Sequence, residues 1–233
     1  MTGQLLATVL AAPADPDGTV TVNVGGQPSS AIVILLGLTV LSVAPALLLL
    51  CTSFTKIFVV LSITRNALGL NAVPPNQVLA GLALFLSLFI MGPVVSEMNS
   101  EGIQPYLRGE KTQEQAFNDG VQPLREFMLD HTRRDEIALL TRAANDPQPE
   151  TPDDVPLTTL VPAFVLSELR AAFIIGFVIF VPFLVIDMVV AASLMSLGMF
   201  MLPPGMDSLP FKLLLFVLVN GWALIVTALV GSY

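Results

Sequence analysis

The sequence predicts an all-α membrane protein: two long hydrophobic helical hairpins with a small amphipathic helical insert between them. Apolar residues make up 54% of its 233 positions and charged residues only 12%, with a mean hydropathy of +0.79. Uncharged stretches long enough to cross a bilayer recur along the chain, which points to membrane helices rather than a soluble core. The charge is also confined. Of 18 acidic residues, 14 fall between Glu97 and Glu168, so the formal net charge of −8 belongs to one segment and not to a uniformly acidic surface.

Taken in order, residues 1–30 read as a leader and an extended N-terminal segment. The stretch MTGQLLATVLAA ends in small residues, as a secretory signal does, although it lacks a basic start. Residues 13–30 are rich in Pro, Gly, Asp and Ser, a loop composition.

The first hairpin is assigned to 31–96. Its first uncharged run is Ala31 to Thr55, with Pro45 inside it; the missing backbone donor predicts a kink or a re-entrant bend there. A polar connection follows, holding Lys56, Arg65, Asn66, Asn71 and Pro74-Pro75. The second run, Val78 to Val95, closes at Gly92-Pro93.

The insert is assigned to 97–162 as a polar, acidic, periplasmic helical segment. Phe117, Val121, Leu124 and Met128 recur at helical spacing and predict one apolar packing stripe. Gly120 and Pro123 interrupt it, so the pattern suits either one helix or two short ones. Asp135 to Ala144 predicts another short helix. Asp146 to Pro162 carries five prolines and four acids, the composition of an extended linker.

The second hairpin is assigned to 163–233. One run extends from near Ala171 to Leu202 and contains Pro182 and Asp187; the other covers Leu213 to Val230 and is preceded by Lys212. The basic turn with Lys56 and Arg65 carries no acid and is expected to face the cytoplasm. The insert would then lie outside, and both termini would be periplasmic.

Several functions are excluded by what is missing. The single cysteine, Cys51, allows no intrachain disulfide and no multi-thiolate metal site. A lone histidine, His131, rules out a histidine-pair metal motif. There is no GxSxG elbow, no phosphate-cradling glycine loop and no basic tract suited to nucleic acid. The reading is therefore not an enzyme, with no cofactor and no metal.

Two features remain. Asp187 lies inside an apolar run, where a charge costs about 2.5–3.5 kcal/mol and normally finds a partner. Lys212 is the candidate, within the chain or across a subunit boundary, and the pair would serve assembly; a proton-coupled transport site is the alternative. The second feature is Met199-Phe200-Met201, three bulky flexible residues between Gly198 and Pro203-Pro204. Methionines usually fill cores, but around a ring of identical subunits these three would plug a central hole.

Long motifs now bring a family into view. TSFTKIFVVLSITRNALGLNAVPPNQVLAGLALFLSLFIMGPV (Thr52–Val94), QPLREFML (Gln122–Leu129), VLSELRAAFIIGFVIFVPFLVIDMVVAASLMSLGM (Val165–Met199) and LPFKLLLFVLVNGW (Leu209–Trp222) resemble the FliP/SctR family of type III secretion export-gate proteins. The resemblance spans roughly residues 31–233. The insert, the leader and the LPFK form resemble the flagellar branch more than the virulence-type SctR branch.

The resemblance implies a homo-pentamer that joins FliQ and FliR in a closed helical pore of the bacterial inner membrane, at the flagellar basal body. FlhA, FlhB and, in many species, FliO are the implied associates, and unfolded flagellar proteins the implied cargo. It also implies that Met199, Phe200 and Met201 form a gasket, and that the hairpins pack into a tapered bundle largely above the membrane plane. The chain departs from the family pattern twice: Phe200 replaces a methionine of the gasket, and Asn220 stands where Asp often precedes Gly-Trp.

Overall fold

The computed structural model describes residues 51–70, 72–149, 151–198 and 204–233, with isolated helical positions at 35, 37–39, 42–43, 46 and 49–50. The chain divides into two compact units, Met1–Pro45 and Ala46–Tyr233; the described elements below belong to the second. The proposed leader, part of the first apolar run, Pro45 included, and the Met199–Met201 segment lie outside the described residues. All the regular structure described is helical, with no strand among the described residues.

Helix α1 spans Phe54–Ala67 and α2 Asn76–Ile90. Chain expected to be a polar connection is thus mostly helix, because Ile57, Val60, Leu61, Thr64 and Ala67 recur at helical spacing and are buried. After α2 the chain bends by 57° at Met91 into α3, Gly92–Met98. Pro93 starts this helix comfortably, since a first-turn proline gives up a donor that has no partner anyway. A π-helical turn, Asn99–Ile103, leads to the single turn α4, Gln104–Leu107.

Helix α5, Gln113–Asp130, is continuous through both Gly120 and Pro123. Thr112 caps it in a reciprocal box with Gln115, satisfying two otherwise orphan amides. Gly120 does not interrupt the helix; it lets another helix in. A Cβ on Gly102 would lie 2.7 Å from the Ala116 carbonyl and 2.8 Å from the Gly120 Cα. Only two glycines permit this crossing.

The packing face of α5 is correspondingly rotated from the predicted stripe. Ala116, Gly120, Pro123, Phe127 and Met128 are buried. Leu124 packs on their cluster, Val121 is half-buried, and Phe117 is 68% exposed. Close approach selects small side chains, which a search for large apolar ones passes over.

Helix α6, Arg134–Ala144, ends at Asn145 in the left-handed conformation, φ 58°. The prolines that suggested a linker to 162 stop earlier: α7 begins at Leu157, capped by Pro156, and runs 40 residues to Ser196. That is about 60 Å of helix. Pro162 lies near its start and Pro182 in its interior.

The single turn α8, Pro204–Asp207, precedes α9, Leu209–Leu218, and α10, Gly221–Val230. The fourth apolar run is therefore broken, by a 61° bend. Asn220 supplies the break with φ 51°, a conformation Asn tolerates better than most residues. Gly221 makes room for it, since a Cβ there would sit 2.3 Å from the Phe216 ring.

Helix α1 packs along α7, where Gly176 receives Ile63. One cluster joins Ile57, Leu61, Leu79, Ala172, Phe183, Phe216 and Leu229. A second joins Met91, Phe127, Met128, Leu160 and Phe164 and ties the insert to the start of α7. Among the described residues α7 alone is long and apolar enough to cross a membrane, or up to three spans if each bent pair counts as one.

Candidate functional site

Two acidic side chains on α7 each take a lysine from another segment. Glu168 and Asp187 are 19 residues apart, about 28 Å along the helix, so the two ion pairs bracket most of its apolar length.

At the first, Lys56 Nζ lies 3.3 Å from Glu168 Oε1, with side chains only 4% and 2% exposed. The same ammonium stands 3.5 Å over the centre of the Tyr233 ring and 3.5 Å from the Ser232 carbonyl. Tyr233 donates its hydroxyl to Glu168 Oε2. Burial, followed by the Glu168 carboxylate, pushes that hydroxyl's pKa far above its usual value, so it stays a donor. Beside this cluster, Ser53 donates to Ser87 at 3.0 Å and links the start of α1 to α2. Each charge thus has both an opposite charge and hydrogen bonds, the condition under which burying it is tolerable.

At the second, Lys212 Nζ is 2.7 Å from Asp187 Oδ2, the side chains being 5% and 31% exposed. Lys212 also donates to the Ala67 carbonyl at 3.1 Å. Ala67 is the last residue of α1, where the helix dipole favours a cation. Ser208 donates to Asp187 Oδ1 at 2.5 Å. One lysine thereby fastens α1, α7 and α9 together.

These contacts relocate one residue named from the sequence. Lys56 does not belong to an exposed basic turn with Arg65: it is the third residue of α1 and 3% exposed, neutralised by Glu168. Arg65 does lie near the turn, bonded to the Pro74 carbonyl at 3.1 Å and Asn76 Oδ1 at 2.6 Å. Glu168 and Tyr233 were not singled out in the sequence. Glu168 ends the acidic segment and reads there as one more solvated charge; only its i, i+4 relation to Phe164 and Ala172, both apolar, hints at burial.

The surface completes the picture. Phe85, Phe89, Phe177, Val217 and Leu218 are each at least 69% exposed. In the most apolar 18-residue window of α7 only 11% of the residues are buried. Exposure on this scale marks faces that meet lipid or other protein.

The FliP family model matches residues 37–229. The flagellar biosynthetic protein FliP of Bacillus subtilis is 55% identical over 205 residues, covering 88% of this chain and 93% of the relative. Its counterpart in Pectobacterium carotovorum is 53% identical over 196 residues, 84% of this chain and 76% of the relative. That of Caulobacter vibrioides is 45% identical over 232 residues, 98% and 87% respectively. With a model that covers most of its length and relatives this similar, the chain belongs to the FliP family of flagellar biosynthetic proteins.

Proposed function

We propose that the chain is a pore-forming core subunit of the flagellar type III protein export gate, assembling as a homo-pentamer with FliQ and FliR in the bacterial inner membrane. FlhA, FlhB and FliO would be neighbours, and unfolded flagellar proteins the cargo. The observation that carries the reading is the exposure of apolar faces on α2, α7 and α9 at once. One subunit leaves more apolar surface open than a single lipid-facing helix stripe needs, and a ring of subunits would cover it.

Met199, Phe200 and Met201 would form the gasket at the narrowest point. Asp187 and Lys212 would hold the subunit in the shape the ring requires. The proton-coupled alternative finds less support, because Asp187 already has Lys212 and Ser208 as partners. The insert would be periplasmic and both termini with it. Arg65 beside the first hairpin's turn and the acidic insert support that orientation, while Lys56 is paired with Glu168 in the folded chain.

The test is to co-express the chain with FliQ and FliR, count its copies in the purified complex, and replace Met199, Phe200 and Met201 together by Ala. Five copies and a complex that leaks small ions are expected. A different copy number, or a complex that stays tight, would overturn the corresponding part.

A further inference from the structure

Among the described residues, two buried side-chain polar atoms lack any hydrogen-bond partner: Arg65 Nε and Asp207 Oδ2. One belongs to a cation and the other to an anion. Buried polar atoms are nearly always paired, so each orphan asks what completes it. Both residues are half-buried, and the rest of each charged group reaches the surface. Arg65 spends Nη1 on the Pro74 carbonyl and Asn76 Oδ1, which are both neutral. Neither group has an ion-pair partner among the described residues.

Their surroundings are complementary. Asp207 lines an apolar groove of about 600 Å³ between α7 and α9, where Val189 and Phe211 are 61% and 58% exposed. Ser193, the other polar lining residue, already donates to the Val189 carbonyl at 2.8 Å. The groove therefore suits an apolar occupant that brings one positive charge. Arg65 belongs to such an element. The turn it braces presents Val73 and Val78, 66% and 56% exposed.

The two features share one end of the subunit but not one face. A Cβ on Gly69, a turn beyond Arg65, would stand 3.8 Å from the Gly205 carbonyl, two residues before Asp207. Yet Arg65 is bonded to the residues that open α2, and Asp207 lies between α7 and α9, with α1 packed on both α2 and α7. A closed ring joins unlike faces of identical subunits, head to tail. Resting on the ring reading above, we propose that this groove seats the α1–α2 turn of a second copy of the chain, with Arg65 paired to Asp207. A level neighbour has no better cation to give. Lys212 is held by Asp187 and the Ala67 carbonyl, and Lys56 by Glu168. The basic residues from Arg108 to Arg170 belong to the insert or to the start of α7, at the other end of that helix.

The chain is co-expressed with FliQ and FliR, and assembled complex is quantified after purification. Asp207→Arg and Arg65→Asp should each lower the yield about tenfold, the scale of one charge-assisted contact, and the double reversal should restore it. Arg65→Asp also loses the Pro74 and Asn76 bonds, so a second measurement does not depend on charge. One Cys51→Ser chain carries Arg65→Cys, another carries Asp207→Cys, and the two are mixed and treated with a short bifunctional thiol reagent. Covalent dimers holding one of each are expected; a chain bearing both cysteines should give oligomers up to the ring's copy number. Five copies with no cross-link and no rescue would overturn this contact while leaving the ring reading intact. Capture of the Asp207→Cys chain on FliQ or FliR alone would overturn it too. A complex without a ring of copies would overturn the ring reading itself and the contact with it.

Discussion

The two ion pairs on α7 are built alike, an acid of α7 meeting a lysine of another helix, and differ in how far they are closed off. Lys56 and Glu168 are sealed, 4% and 2% exposed, and Tyr233 closes the carboxylate's remaining side. Lys212 is equally buried, but its partner Asp187 is 31% exposed. The sealed pair is complete within one chain; the open pair leaves a carboxylate edge that another molecule can reach. A buried ion pair therefore has two uses here: one fixes the subunit, and the other fixes it while keeping a polar surface in an apolar region.

That contrast can be broken by deletion. Glu168→Ala strands an ammonium with no access to water, and we expect a loss of about 3–5 kcal/mol, the cost of breaking a buried pair from one side. Asp187→Ala also leaves a buried lysine, yet Lys212 keeps the Ala67 carbonyl and water can enter where the half-open carboxylate stood. A loss of about 2 kcal/mol is expected. Denaturant titration of each variant in detergent, followed by helix signal, measures both. Equal losses would erase the distinction between sealed and open. If Asp187→Ala yields normal amounts of complex with export abolished, the assembly role gives way to proton coupling.

The difference between the pairs also marks what the sequence could disclose. Asp187 stands out because nothing charged surrounds it, and Lys212 follows because a charge in an apolar run needs a partner. Lys56 and Glu168 sit at the edges of their runs, where the same rule is silent, and their meeting depends on how α1 lies along α7. The helical class and the apolar runs follow from composition and periodicity. Their breaks were less legible: Pro182 and Pro162 are carried inside α7, whereas Asn220, a residue of weak signal, ends a helix. In the insert, periodicity found a helix, and Leu124 and Met128 of its stripe meet the chain's own core, but it passed over the glycine face, because Gly102 and Gly120 pack by having no side chain.

A second prediction sharpens the comparison by moving to that crossing. Gly102→Ala places a methyl 2.7 Å from one backbone carbonyl and 2.8 Å from a backbone Cα, and neither can turn aside as a side chain could. We expect about 3 kcal/mol of destabilisation, confined to the insert. Amide hydrogen exchange should rise in α3–α5 while the segments around Lys56 and Asp187 stay protected. Uniform loss of protection would mean that the insert and the apolar helices unfold as one unit.

Smaller still is the expected effect of Phe117→Ala. The side chain is 68% exposed, so the isolated chain should change by less than about 0.5 kcal/mol. If this face packs on a neighbouring subunit, the yield of assembled complex should fall nonetheless. Unchanged yield would leave Phe117 without a partner and would limit the predicted stripe's packing to Leu124 and Met128 within the chain.

The smallest effect belongs to a carboxylate with no burial at all, which shows what the sealed pair gains from being sealed. Asp154 accepts from the Thr151 hydroxyl at 2.7 Å and from the Thr151 N–H at 3.0 Å, closing the turn that precedes α7. Arg125 pins the same turn by donating to the Val155 carbonyl at 2.6 Å. The hydroxyl first, then the amide, holds the Asp154 carboxyl below its usual pKa. A depressed folded value means that the turn's extra stability is present above the ordinary aspartate pKa and is lost as pH falls through the lower, folded one. Following the Thr151 amide by NMR should therefore give a midpoint below that of an unstructured aspartate, and Asp154→Asn should abolish it. Because α7 is held by Leu160 and Phe164 in a buried cluster to which the Asp154 carboxylate does not belong, its helix should persist through the transition. A midpoint at the ordinary aspartate value would show that the Thr151 contacts carry no preference for the ionised form.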